Sequence, residues 1–345
     1  MHYFSHGICP ACFYGHYQNV YNWPFVNFDF EKRQYPKPIR LLMSYQFCTI
    51  TTMSHLYKVY ALTESLKNQG HSFVLNTLVI DDDRDFSFEN CKFFKLSDIS
   101  GRRNAGEIIA KYKGNKDKLR WSLKPVLMRY LLSLMPVDRL IYLDNDLFFF
   151  SDYEFLFELL EHHSFILTPH YYKNDPNNNQ NWLEANFRIG LYNAGFVGAN
   201  KQALKTLQWW ADCCLYRCEK NSLRGMFDDQ KYLDIIPIIE QSACIIRHKG
   251  CNVAGWNTEI CSRKIVDNRI RIDGKFDIIF IHFNENTIRE IVRGSDFILF
   301  NYYRAYIETL KRFRRDLKKQ EIYFDRRFTD RLKLRLWKIL TQLEI

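Results

Sequence analysis

An α/β fold, built on a mixed but mostly parallel sheet of about seven strands flanked by helices, is what the sequence predicts. Three observations predict it. Apolar runs such as "IRLLMSYQFCTI" (39–50) and "RLIYL" (139–143) are short and nearly continuous, as in strands covered on both faces. Segments with apolar residues at helical spacing stand between those runs. The chain has 345 residues, 47% of them hydrophobic and 16% aromatic, which suits one large core and excludes a mostly disordered protein.

Residues 1–37 read as an N-terminal extension, with Pro36 and Pro38 at its boundary, 38–300 as the main domain, and 301–345 as a basic helical C-terminal region. The first strand, 39–50, leads into a helix over 54–70. Ser54 is its expected N-cap, Leu56, Val59, Tyr60, Leu62 and Leu66 share one face, and Gly70 is the stop. A second strand, 71–80, ends at "DDDRD". Residues 102–135 read as two helices, the second with Pro125 inside its first turns. Strand 139–143, a helix over 152–163 and strand 164–170 follow. The polar "NDPNNNQN" (174–181) reads as a loop. Next come strand 192–200, an amphipathic helix over 201–220, a short helix stopped by Pro237, and strands at 243–248 and 276–283. Ligands are expected beyond the carboxyl ends of such strands.

The net charge of +10 is concentrated, because residues 301–340 hold 13 Lys and Arg against 5 Asp and Glu. That tail interleaves cations with Leu, Phe, Trp and Ile. The pattern suits either a helix lying on an anionic membrane surface or solvated helices that pack one apolar face on the main domain. No nucleic-acid-binding motif accompanies it, so no nucleic acid is expected. No apolar run reaches the roughly 20 residues that span a bilayer. The N-terminus lacks a basic segment followed by an apolar one, so a cytoplasmic protein is expected, with 301–345 as a peripheral contact to the inner membrane face. The ten cysteines suggest reduced thiols. Cys9 and Cys12, with only His6 and His16 nearby, read as ordinary thiols rather than a zinc site.

Within "RLIYLDNDLFFFSD" (139–152), Asp144 and Asp146 emerge at the end of an apolar strand. Spacing alone is weak, since Asp81 with Asp83 and Asp83 with Asp85 match it too. Two readings stand: an acidic turn closing a strand, or paired oxygen ligands for a hard divalent cation such as Mg2+ or Mn2+. The aromatics after the pair read as the start of the next helix.

Other stretches follow in order: "FCTITTMSHLYKVYALTESL", "LKPVLMRYLL", "IYLDND", "YNAGFVGAN", "FDDQKYLD" and "IHF". The series resembles the GT-A (Rossmann-like) glycosyltransferases, within them the retaining group of glycogenin and bacterial lipopolysaccharide galactosyl- and glucosyltransferases. The likeness covers roughly residues 38–285. "LTPH" and "GCNVAGWN" also look like features of uncharacterised bacterial relatives of that group. The resemblance implies a metal-dependent enzyme that moves a sugar from a nucleotide donor, UDP-linked by expectation, to a hydroxyl of a surface glycan or glycolipid such as lipopolysaccharide or capsule. It makes Asp144, Asp146 and His282 the metal ligands, and Asn145 part of the nucleotide site. Asn193 would touch the donor sugar or shape the acceptor site, Gln230 would lie near the anomeric carbon, and Asp229 would bind sugar hydroxyls. Thr49, Thr51 and Thr52 would line the nucleotide, Asp81 or Asp82 would contact base or ribose, and Lys124 or Arg129 would approach the diphosphate.

The group follows its late histidine with Gly and then Lys-Pro-Trp, whereas "FNENTIREIVRG" stands here. Arg289, Arg293 or Lys249 are then the expected replacements for the missing cation. Three alternatives remain open at this level. One is an inverting transferase with Asp228 or Asp229 as base. Another is a sugar nucleotidyltransferase, disfavoured because "CTITTMSHLYK" has no glycine. The third is a degenerate sugar- or lipid-binding protein.

Overall fold

The computed structural model describes residues 44–134 and 136–319. Seven strands form the main sheet: β1 (Tyr45–Thr51), β2 (Phe73–Val79), β3 (Cys91–Lys95), β4 (Arg139–Leu143), β5 (Phe165–Pro169), β6 (Tyr192–Asn200) and β7 (Ala243–Ile245). Their order is β7-β5-β6-β4-β1-β2-β3. Only β6 runs antiparallel to its neighbours. The carboxyl ends of β1, β2, β4 and β5 therefore open on one edge, and the amino end of β6 joins them there. Alternation along β1 sends Phe47 into the core shared with the helices Leu56–Lys67 and Glu154–His162. Cys48 and Ile50 face the core under Lys116–Ser133 and Leu204–Tyr216. The expected α/β class is what the structure has.

Strand membership differs from the expectation. Phe280–His282, expected in the sheet, pairs instead with Leu147–Phe149 in a separate antiparallel ribbon that sets His282 opposite Leu147. The aromatics after Asp146 thus form a strand, not a helix start. The helix waits until Glu154, whose N–H is capped by the Asp152 carboxylate (2.7 Å). The seventh strand of the sheet is β3, an edge strand.

Smaller expectations shift for local reasons. A 3-10 turn over Met53–His55 follows Thr52, so Ser54 lies inside it and caps nothing. The helix Lys116–Ser133 starts earlier than expected, at Asn115, whose side chain accepts from the Lys118 N–H (3.0 Å). Pro125 consequently falls mid-helix, where its missing N–H leaves the carbonyl of Trp121 without its helical partner. Pro237 does not stop a helix; it sits in the first turn of Ile236–Ile239, where a missing N–H costs nothing. The polar loop at 174–181 gives way to a helix already at Gln180, running to Arg188. The eight cysteines among the described residues are unbridged.

The helix Phe300–Lys319 packs one face on the main domain. Tyr303, Tyr306, Ile307 and Phe313 are buried in the core of the helix Leu56–Lys67, with Tyr306 stacked on Phe283 at 4.4 Å. Arg312 pairs with Glu64 across the same contact. The expected division at 300/301 therefore falls within an element of the main core. Those apolar residues are not available to a bilayer, so the membrane-surface expectation rests on 320–345, outside the described residues, as are Cys9 and Cys12. No helix among the described residues is long and apolar enough to cross a membrane. Tyr306→Ala should lower stability by about 3–5 kcal/mol, the range for emptying a buried aromatic site, as read by urea unfolding of the full chain.

Candidate active site

The edge where the strands end carries the site. At the end of β4, the Asp144 N–H donates to the Gly195 carbonyl of β6 (2.7 Å), and the Leu147 N–H closes a turn on the Asp144 carbonyl (3.1 Å). The turn projects Asp144 and Asp146 together. The ribbon then brings His282 beside them, with its Nε2 3.1 Å from Asp146 Oδ1. One ligand atom from each of Asp144, Asp146 and His282 falls within 4.8 Å of the others. Nδ1 of His282 faces Asn252 Oδ1 at 3.4 Å, which orients the ring and leaves Nε2 toward the carboxylates. Burial alone would raise the Asp146 carboxyl; the imidazole of His282, with Lys58 and Arg120 further off, holds it below its ordinary value.

Gly195 explains why this space is open. A Cβ there would lie 2.6 Å from Asn193 Oδ1, 2.8 Å from His282 Cε1 and 2.9 Å from Asp144 Oδ2. Two carboxylates and an imidazole around that space are a donor set that suits Mn2+ or Mg2+, so the residues fit the cation the sequence implies.

Behind the cluster lies a buried cation. Lys124, 2% exposed, donates to the Ala194 carbonyl (3.0 Å) and lies 3.5 Å from Asp144 Oδ1 and 3.2 Å from Asp229 Oδ2. Its ammonium also sits 5.1 Å from the Tyr142 ring centre, while the Tyr142 hydroxyl donates to Asp144 Oδ1 (2.9 Å). Burial works against the charged lysine, but Asp144 and Asp229 outweigh it and raise its pKa. Burial pushes Asp229 up to about 6, with Lys124 opposing and Asp144 and Asp228 adding to the rise. Asp228 is held at φ +50° and is buried; its Oδ1 has no partner, and Lys220 stands 3.5 Å from Oδ2.

The remaining expected residues divide. Gln230 ties the amino end of β6 in place, accepting from the Ala194 N–H (3.2 Å) and donating to the Ile189 carbonyl (3.3 Å). Asn193 accepts from the Gly195 N–H (2.6 Å), and its amide nitrogen faces His170 Nε2 (3.3 Å). Asn145 donates to the Thr51 hydroxyl (3.1 Å), joining the ends of β4 and β1. Thr49 lies deeper in β1, fully buried, its hydroxyl without a partner. Asp81 is already engaged by the Met53 N–H and the Lys116 ammonium (2.7 Å each), and Asp82 by Arg84.

No contact among the described residues ties the expected replacement cations to Asp144, Asp146 or His282. Lys249 is held by Asp273 (2.6 Å) and the Ile260 carbonyl (2.9 Å). Arg289 lies 3.9 Å from its neighbour Glu290, and Arg293 is exposed at that helix end. Arg129 stands with Arg102, Arg103 and Asp212 instead. Sequence reasoning did not single out Tyr142, Asn252, His170 and Arg120. "LTPH" and "GCNVAGWN" contain His170 and Asn252, but only the folded chain shows them behind Asn193 and His282.

No protein-family profile matches the chain. It is 28% identical over 253 residues to the uncharacterized protein YfnF of Bacillus subtilis (strain 168), covering 70% of this chain and 82% of that relative. It is likewise 28% identical over 275 residues to YfnD of the same organism, covering 76% and 84%. Among solved structures it is similar to the galactosyltransferase LgtC in complex with donor and acceptor sugar analogs, with a TM-score of 0.47 and 11% identity over 77% of this chain and 95% of that one.

Gly195→Ala should keep the far-UV circular dichroism of the native fold while weakening Mn2+ binding about tenfold or more by displacing a ligand, read by electron paramagnetic resonance titration. In chelator-treated protein, Asp229 binds its proton more tightly folded than unfolded. The stability this confers is full below about pH 4 and is lost as pH rises through about 6. Urea unfolding at pH 5 and 7 should therefore show the wild type losing on the order of 1 kcal/mol that Asp229→Asn does not lose.

Proposed function

We propose that this chain is a metal-dependent glycosyltransferase that moves a sugar from a nucleotide donor, UDP-linked by preference, to a hydroxyl of a surface glycan or glycolipid, with retention of anomeric configuration. The observation that carries the reading is the Asp144–Asp146–His282 cluster beside the space that Gly195 leaves open, backed by the buried Lys124–Asp229 pair. The ordered motifs around it support the same reading. Asp144, Asp146 and His282 would hold the divalent cation, which when bound neutralises charge on a leaving diphosphate.

The protein's own residues supply orientation. Asp229, fixed by Lys124, is placed to accept hydrogen bonds from sugar hydroxyls. Gln230 and Asn193 hold the amino end of β6 as the floor beneath the sugar. The C1–O bond to phosphate breaks with its electron pair going to phosphate oxygen. The acceptor oxygen bonds to C1 on the same face and passes its proton to the departing phosphate. A second reading, inversion, is favoured by one observation: a buried carboxyl titrating near 6, as at Asp229, suits a general base.

The acceptor is expected at the cytoplasmic membrane face, through residues 320–345. A panel of nucleotide sugars incubated with Mn2+ should show turnover of one donor, and Asp146→Ala should reduce it about a hundredfold or more. Absence of turnover across the panel, with pyrophosphate instead released from a nucleoside triphosphate and a sugar phosphate, would point to a nucleotidyltransferase. Proton NMR of the product anomer separates retention from inversion.

A further inference from the structure

A charge is left unmet at this site. A divalent ion would balance Asp144 and Asp146, and Lys124 is already committed to Asp144, Asp229 and the Ala194 carbonyl. The diphosphate of a nucleotide sugar brings two negative charges, and a third develops on its β-phosphate oxygen as the C1–O electron pair arrives there. Cations must face that oxygen; Lys249 is taken by Asp273, and no contact among the described residues ties Arg289 or Arg293 to the cluster.

We propose that Arg120 and Lys58 form the cation pair that binds the diphosphate and stabilises it as it leaves; this rests on the nucleotide-sugar reading above. Arg120 stands one turn before Lys124 in the helix Lys116–Ser133, on the same face, and its charge acts on Asp144, Tyr142 and Asp146. One terminal nitrogen pairs with Asp117 at 2.7 Å, and that carboxylate is 62% exposed, a partner that costs little to exchange. The Nε of Arg120 is buried without any partner. A fork with one arm loosely held and one donor unused is suited to bidentate capture of phosphate.

Lys58 comes from the other face of the sheet. It lies in the first turn of Leu56–Lys67, directly beyond the carboxyl end of β1. No hydrogen bond or ion pair among the described residues holds its ammonium. Both cations act on Asp146 and on His55. His55 itself is pushed down to about 3 by burial and by these two charges, so it stays neutral and does not compete for the anion.

The test is calorimetric titration of UDP, GDP, ADP, CDP and TDP, and of the parent nucleosides, into the Mn2+-loaded full chain. Arg120→Gln and Lys58→Gln should each weaken the preferred diphosphate by about tenfold or more, the scale of a lost charge-assisted hydrogen bond. The nucleoside should bind as before, and Mn2+ binding without nucleotide should not weaken. Arg120→Lys should recover part of the loss. Lys58 is half-exposed, so its variant serves if Arg120→Gln fails to fold. Wild-type protein that binds no diphosphate with Mn2+ would sink the nucleotide-sugar reading itself. Wild type that binds one, with both variants binding within about twofold of it, would overturn the cation pair alone.

Discussion

The site depends on one buried ammonium. Three carboxylates, Asp144, Asp146 and Asp229, converge at the sheet edge, and two of them lie within 3.5 Å of Lys124 Nζ. Charges removed from water cost several kcal/mol each unless they are paired and hydrogen-bonded. Lys124 forms ion pairs with Asp144 and Asp229 together, and its hydrogen bond to the Ala194 carbonyl ties the helix Lys116–Ser133 to β6. Removing it would leave uncompensated negative charge behind the place where more must arrive.

The second constraint is topological. Because β6 runs against its neighbours, its amino end meets the carboxyl end of β4, and backbone atoms of Gly195 and Asp144 bond directly. A side chain at 195 would instead run into Asn193 Oδ1, His282 Cε1 and Asp144 Oδ2, so glycine there leaves room for the cluster. The ribbon of Leu147–Phe149 with Phe280–His282 completes the arrangement, since its pairing carries His282, distant in sequence, to Asp146. The proposed chemistry follows from these contacts: negative ligands at the front, a committed cation behind, and nearby Lys58 with Arg120, whose one partner is the exposed Asp117.

Much of this was legible in the sequence, because strand-helix alternation and the order of "DND", "YNAG", "DDQ" and "IHF" are local signals. The α/β class could be read from the alternation, whereas the meeting of Asp144, Asp146 and His282 was implied only by the likeness of the ordered motifs to a known family. What could not be read depends on contacts between distant segments. The strand at 280–282 has the same apolar pattern whether it joins the sheet or a ribbon, and only pairing with 147–149 decides. The edge strand β3, "CKFFK", is too short and mixed to stand out. Arg120 and Lys58 look like solvated helix charges in a linear reading. Lys249, which looked available, is taken by Asp273.

Everything proposed for this site requires that Asp144, Asp146 and His282 hold a divalent cation. The most direct measurement is anomalous diffraction at the manganese edge from crystals grown with Mn2+ and a nucleoside diphosphate. A peak bounded by those three side chains, with phosphate oxygens completing its shell, is the expected result. Crystals with the diphosphate bound elsewhere, or with no manganese between Asp144, Asp146 and His282, would contradict it.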